Sequence, residues 1–396
     1  MFRAAKRTIP ERAGEWDIGE VTKRAAEFQT KFEALKAQIG PADFPWYPYS
    51  TFGAFSYLDK LLTGEHRDLG HLIGADPVID IGPADGPIAF FFESLGCRVH
   101  AVDYAPINHN GMRGIMKLKA ALQSSVVIQE VDLDSSFSLP ADRYGLAFFL
   151  GVLYHLKNPF HVLQRLARKV QYCFLSTWTA EFAPGDRTPL RHLPVAYLVD
   201  EAEVNQDDSN YWVFSEAGLR RILKRSRWEV CAYLSTGNLD RSDPARARGD
   251  ERTYCFLKSL AFPQLAPRVD LGSACSDEVV GPTWYRAEAG IRWMPAEGTV
   301  RLHGADDPSQ RLYISGYCPA RQLLNGPVTI FVNTDGYDLG SAVLERREAP
   351  FTFDFALPPV LAGRREIEVR LRVEPTFTPD GEQRSLGAAF SVFEVR

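Results

Sequence analysis

The chain has 396 residues, 45% of them apolar, with a formal net charge of −5 and six cysteines. That length exceeds the usual single domain, and the apolar content is enough to fill more than one core. The acidic balance offers nucleic acid and anionic lipid no overall attraction, and the scattered cysteines, with no C-x-x-C pair, exclude a disulfide framework and a thiolate zinc site.

The opening stretch "MFRAAKRTIPERAGEW" lacks the apolar core of a signal peptide, so a cytoplasmic location with reduced thiols is expected. Residues 1–70 read as a helical extension, with a polar periodic segment "EVTKRAAEFQTKFEALKAQIG" and then "PWYPYSTFGAFSYLDKLL". In the second segment Trp46, Tyr47 and Tyr49 either staple these helices to a neighbouring sheet or line the mouth of a site.

"VIDIGPADGPIAFFFESLG" (78–96) packs a strand, a glycine turn and a helix start into one stretch. Val78, Ile79 and Ile81 are β-branched and end at Gly82, as in a short buried strand. Ile88, Phe91, Phe92 and Leu95 recur with the spacing of one helix face, with Asp85 placed to cap the helix and Pro87 suited to its first turn. A second strand ends at Asp103, which completes a βαβ unit of the nucleotide-binding type. The turn reads D-x-G-x-x-x-G, not G-x-G-x-x-G. Asp80 just before it would repel a pyrophosphate and suits an ammonium group.

"VVIQEVDLDS" reads as a third strand running to Asp132, "YGLAFFLGVLYHL" as a fourth and "CFLSTW" as a fifth. The longest apolar stretch, "LAFFLGVLYHL", is too short to span a bilayer. "GVLYHLKNP" leaves the carboxyl end of the fourth strand, where open α/β sheets place ligands. His155 there has a ring suited to accepting a proton near neutrality; the other reading is a ring packed locally against a backbone carbonyl. Tyr154 and Asn158 orient a ligand or support the loop, and "INHNGMRG" adds Asn110 and Arg113. Residues 179–214 are too long for a simple connection and are expected to form a substrate cap, in which Tyr211 and Trp212 are a pocket wall or core. "RRILKRSR" (220–227) has helical apolar spacing and is read as a solvated helix face, the rival reading being an RNA patch. The domain of this sheet is placed at 71–260, followed by a linker at 261–283. From 284 onward, eight short alternating segments separated by turn residues predict an antiparallel β-sandwich to residue 396. His192, His303 and the other histidines have no ligand spacing, so no metal is expected.

The turn at 80–86 resembles motif I of class I S-adenosylmethionine (SAM) methyltransferases, which often carry another glycine where Ala84 stands. The resemblance implies a Rossmann-like seven-stranded α/β sheet with SAM as cofactor. It assigns Asp80, Gly82 and Gly86 to the methionine end, Asp103 to the ribose and Asp132 to the adenine, with Pro83, Ala84, Tyr104, Leu133 and Leu150 as further cofactor contacts. Gly145 stands near a point where the family frequently carries Asp. Within the family, "DIGPADG", "GVLYHLKNP" and the "GDR…NYW" cap are similar to the branch of the tRNA wobble-uridine carboxymethyltransferases, which use carboxy-SAM. The C-terminal region resembles, more weakly, sandwiches appended to bacterial enzymes of polysaccharide assembly, some ending like Arg384–Gly387.

These resemblances imply a methyltransferase with a sugar or glycan hydroxyl as acceptor. The alternatives are a tRNA-modifying methyl- or carboxymethyltransferase and a non-catalytic SAM-binding protein. His155 and Tyr154 are the candidate catalytic residues, and Tyr47, Tyr49, Asn110, Arg113, Asn158, Tyr211 and Trp212 the candidate acceptor contacts. Carboxy-SAM in place of SAM needs a cation facing its carboxylate, for which Arg113, Lys157 and Arg187 are candidates. A small-molecule or glycan partner is expected, with no nucleic acid, no membrane span and possible self-association.

Overall fold

Five short apolar runs form the parallel part of a seven-stranded sheet in the computed structural model: β1 (Val78–Ile81), β2 (Val99–Asp103), β3 (Val127–Glu130), β4 (Tyr144–Leu150) and β5 (Val170–Trp178). The structure describes residues 16–40, 43–74, 76–204, 207–237, 242–245, 251–273, 276–277, 279–324, 326–364, 366–379 and 381–396. The first fifteen residues of the expected N-terminal extension therefore lie outside it, including most of the segment read for a signal peptide. Between β5 and the end of the sheet come β6 (Ala196–Leu198) and β7 (Trp212–Phe214), which pair with each other while Phe214 also bridges Thr179, then β8 (Trp228–Thr236) and β9 (Arg252–Ser259). The sheet order is β3-β2-β1-β4-β5-β9-β8, with β9 antiparallel to both neighbours. The order reverses at β1, so the carboxyl ends of β1 and β4 flank the switch point where such sheets bind ligands.

Helices cover both faces. On one side α1 (Ile18–Ile39), α2 (Ala54–Leu61), α3 (Leu69–Ile73), α4 (Pro87–Ser94) and α5 (Arg113–Leu122) pack on Val78, Leu146, Phe148 and Phe174. On the other, α6 (Pro159–Ala167) and α7 (Glu216–Arg225) pack on Ile79, Ala147, Phe149 and Leu175. Successive residues of β4 thus alternate between two cores, as the pleat requires.

Two expectations are corrected locally, and the Gly145 departure finds a cause. The first six residues of α4 are all buried, so its apolar stripe is no guide to a solvent face. The reason is α1, whose Phe28 and Phe32 rings lie 5.5 and 6.2 Å from Phe91 and Phe90. Asp85 does not cap α4; the N-cap is Gly86, with no side-chain cap bond. Gly145 has a steric cause of its own: a Cβ there would lie 2.0 Å from the carbonyl oxygen of Ile73, at the end of α3.

The chain divides into two compact units, residues 1–263 and 264–396. The second has its own core between two antiparallel sheets. One contains Arg268–Asp270, Ala287–Glu288, Ile291–Met294, Arg311–Cys318, Ala349–Ala356 and Ala388–Val395. The other contains Glu297–Leu302, Val328–Thr334, Tyr337–Leu344 and Ile367–Glu374. Leu312, Ile314 and Phe390 of the first sheet share a core with Val300, Ile330 and Leu371 of the second, so this is a β-sandwich. All eight predicted segments are strands. The expected linker at 261–283 is corrected, because Arg268–Asp270 pairs with Val392–Glu394.

Candidate functional site

The glycine turn is built from left-handed backbone. Gly82, Ala84 and Gly86 have φ of +68°, +55° and +84°. A Cβ on Gly82 would sit 2.4 Å from Val152 Cγ2, and one on Gly86 would lie 2.7 Å from both Ile115 and Phe90. Glycine is therefore required at both positions by space as well as by φ. Ala84 tolerates the same region at a cost of roughly 1–2 kcal/mol for an L-residue.

Asp85 has a different task from the capping its position suggested. It is buried, and one carboxylate oxygen accepts from Lys36 Nζ of α1 at 2.9 Å and from the backbone N–H of Tyr47 at 3.0 Å. The other accepts from Asn110 Nδ2 at 2.9 Å. The turn, α1, the Pro45–Ser50 strap and the start of α5 are thereby tied at one carboxylate. The strap's aromatic residues divide between stapling and lining a site. Trp46 packs against the core, while Tyr47 and Tyr49 line a cavity over the carboxyl ends of β1, β2 and β4.

That cavity collects Gly82, Ala84, Asp103, Tyr104, Asp132, Leu133, Leu150 and His155 from the predicted set. Asp103 closes β2; its carboxylate accepts from Tyr104 N at 2.8 Å and Asn108 Nδ2 at 2.7 Å, and burial raises its pKa to about 6. Asp132 follows β3 and accepts from Asp134 N and Ser135 Oγ. Asp134 also lines the cavity and accepts from the N–H groups of Lys157 and Asn158, fixing the start of α6. Asp80 lies buried behind the turn, with its pKa raised to about 7 by desolvation and further by the neighbouring Asp103. Its Oδ2 has no hydrogen-bond partner.

These features fit SAM. An orphaned buried carboxylate oxygen calls for a cationic donor, and the glycine turn leaves backbone room. Acids stand at the ends of β2 and just past β3, where two hydroxyls and an amino group find acceptors. SAM would be held by Asp80 and the 82–86 turn at its ammonium end, by Asp103 at its diol and by Asp132 with Leu133 at its base.

His155 sits in a single 3-10 turn, Leu153–His155, that follows Gly151. The backbone contact of the local reading is present, and the ring also reaches the cavity. Its Nδ1 bonds the Ser209 carbonyl at 3.0 Å, while the ring lines the cavity. Burial lowers its pKa. Tyr154 points elsewhere: it is buried and stacked on Trp178 at 4.1 Å.

Several predicted contacts are not brought to the cavity lining. Pro83 and Gly86 shape the turn from behind it. Asn110 is spent on Asp85, and Arg113 is exposed beside Phe44, 5.3 Å from its ring. Asn158 starts α6, Tyr211 N donates to Tyr154 O, and Trp212 Nε1 donates to Lys157 O. Lys157 and Arg187 are exposed as well, each over an aromatic ring of the cap.

The cation that sequence reading missed is Arg252, the first residue of β9. Its Nη2 lies 3.4 Å from Tyr154 Oη, and its guanidinium stands 5.3 Å from the Trp178 ring. No carboxylate among the described residues pairs with it. The signal was available in principle. A last strand running antiparallel begins at the ligand edge of the sheet, and Arg252 is in register with Trp178 at the end of β5.

Comparison with known proteins agrees with this geometry. Residues 55–232 match the family model described as a methyltransferase domain. No curated protein sequence matches the chain. Among solved structures it is similar to the N-terminal domain of EvdMO1 with S-adenosylhomocysteine bound, at 16% identity and a TM-score of 0.37 over 63% of this chain and 99% of that one. It is also similar to magnesium protoporphyrin IX methyltransferase from Synechocystis, at 14% identity and a TM-score of 0.33 over 63% and 90%. At those scores the likenesses carry no argument; the family match, the strand order and the cavity do. Residues 55–232 thus resemble a methyltransferase domain, and the cavity over their sheet fits SAM.

Proposed function

We propose that this domain methylates a hydroxyl of a sugar or glycan intermediate. The observation that carries the reading is the placement of His155, held by Nδ1 with its ring on the wall of the cavity that Asp103 and Asp132 also line. Bound SAM supplies a methyl carbon already activated by its sulfonium. The chain's own residues have to align an acceptor and remove its proton. Nε2 of His155 takes that proton, and the exposed face of the Tyr49 ring offers an apolar surface for a sugar ring. The negative net charge argues against an RNA acceptor, whose affinity rests on phosphate contacts.

A second reading is favoured by one specific feature. The half-buried Arg252 and the orphaned indole N–H of the half-buried Trp178 are donors grouped around Tyr154, close to the His155 loop. Such donors suit a carboxylate, which is what carboxy-SAM places on the transferred carbon.

One titration set separates the readings. Wild-type chain is expected to bind SAM, with Asp103→Ala losing on the order of 2–4 kcal/mol through two charge-assisted hydrogen bonds. If methylation is the activity, SAM competes at least equally with carboxy-SAM, and His155→Gln slows labelled methyl transfer to sugar acceptors by roughly 10²–10⁴-fold. A clear preference for carboxy-SAM that vanishes in Arg252→Gln would establish the second reading instead.

A further inference from the structure

The cap carries a hydrogen-bonded chain that ends on the cavity's histidine. Ser209 offers His155 Nδ1 two oxygens, its carbonyl and its Oγ, each at 3.0 Å. A carbonyl only accepts, so Nδ1 must carry the proton. Ser209 Oγ spends its own proton on Asp207 Oδ1, which also accepts the Ser209 backbone N–H at 3.0 Å. Every donor and acceptor in the row is thereby assigned, with Nε2 left as the ring's acceptor and no protein partner for it among the described residues.

We propose that Ser209 and Asp207 are positioning residues for proton removal at this site: they fix His155 as the Nδ1–H tautomer, aim Nε2 at the acceptor and stabilise the imidazolium formed there. This rests on His155 acting as the base. As the acceptor hydroxyl oxygen bonds the methyl carbon, the carbon–sulfur bond would break with its electron pair left on sulfur, releasing S-adenosylhomocysteine, and the hydroxyl proton would pass to Nε2. Nδ1–H stays on the ring, and Asp207 stays ionised and acts through Ser209. A second backbone bond, Tyr211 N–H to Tyr154 O at 2.8 Å, clamps the cap to the same turn.

The charges that face His155 are Asp207 from the cap and Arg252 from β9, with Asp103, Asp132 and Asp134 elsewhere on the cavity wall. Asp207 raises the imidazole's proton affinity, whereas burial and Arg252 lower it. Both bonds to Asp207 end on Oδ1, so Asp207→Asn keeps the one oxygen that accepts them, replaces Oδ2 with an amide NH2 and removes the charge, which reads the electrostatic part.

The experiment uses the full chain with ¹⁵N-labelled histidine, and reads the His155 tautomer and pKa by NMR beside the pH profile of kcat. In the wild type, Nδ1 is expected to remain protonated throughout while Nε2 titrates. Asp207→Asn should lower the His155 pKa, shift the acidic limb of the kcat profile to lower pH by the same amount, and cut kcat about 10-fold with SAM affinity unchanged. A structural role alone would move the melting temperature and leave both pKa and limb in place, and that result overturns the proposal. An Nε2–H tautomer in the wild type overturns it independently of activity. If His155→Gln runs near the wild-type rate, the base reading itself fails, which the NMR arm distinguishes from failure of the positioning chain.

Discussion

Asp80 is a buried carboxylate with one unpartnered oxygen, and its protonation carries two expectations. Its carboxyl sits at about 7 and that of Asp103 at about 6, both raised chiefly by burial. An ordinary Asp in an unfolded chain ionises near 3.9. Between roughly pH 4 and 7 the folded, ligand-free protein therefore binds more protons than the unfolded chain, and stability falls as pH rises through that window. The melting temperature is expected to decline from about pH 5 to about pH 7.5, and Asp80→Asn to flatten that decline. A ligand ammonium reverses the preference of Asp80 for its neutral form. SAM binding near pH 6.5 should then release protons, measurable by calorimetry in two buffers of different ionisation heat. Asp80→Asn should release fewer. Equal release in both proteins would move the titrating group elsewhere.

At the scale of elements, the turn between β1 and α4 is held from outside by the Lys36–Asp85 pair, whose side chains are 11% and 3% exposed. Removing one partner of so buried a pair strands the other charge, at about 3–5 kcal/mol. Asp85→Ala is expected to lose that much stability in denaturant melts. It should also weaken SAM binding, because the Tyr47 strap loses its anchor with the turn. The double variant Lys36→Met with Asp85→Asn should recover part of the loss. Simple additivity of the two single variants would show that the pair does not couple. Nothing in the local sequence announced this role. Asp85, shortly past the strand, looked like a cap, and its partner lies 49 residues away in a helix whose polar pattern suggested solvent. Strand-end acids were legible because chain order alone puts them at one edge of a parallel sheet. Arg252 was not legible in the same way, since its strand had first to be known as antiparallel. The expected acceptor contacts were the least legible: Asn158, Tyr211 and Trp212 are close in sequence to the cavity loops, but they bond Asp134, the Tyr154 carbonyl and the Lys157 carbonyl and stay off the cavity lining.

For the whole molecule, the decisive fact is that two cores form from two separate stretches of chain, meeting at Pro263 and Gln264. The alternating segments after 284 announced the sandwich, since each shows one apolar residue in two between turn residues. Its first strand escaped notice because three residues, Arg268–Asp270, are too few to show a period. That strand decides where the chain can be cut. Residues 268–270 pair along the last strand, Val392–Glu394, and Val395 N–H donates to Pro267 O at 2.7 Å. A chain ending at residue 270 would carry that strand with its apolar Val269 and no partner, an exposed sticky end. A chain ending at Pro263 leaves it with the sandwich. The 1–263 chain is therefore expected to be soluble, to melt cooperatively and to bind SAM with the affinity of the full chain. The 264–396 chain should melt on its own, and calorimetry of the full chain should resolve two transitions matching the two pieces. Aggregation of 1–263, or one transition that neither piece reproduces, would mean that folding couples the two cores and that the sandwich contributes to the methyltransferase unit directly.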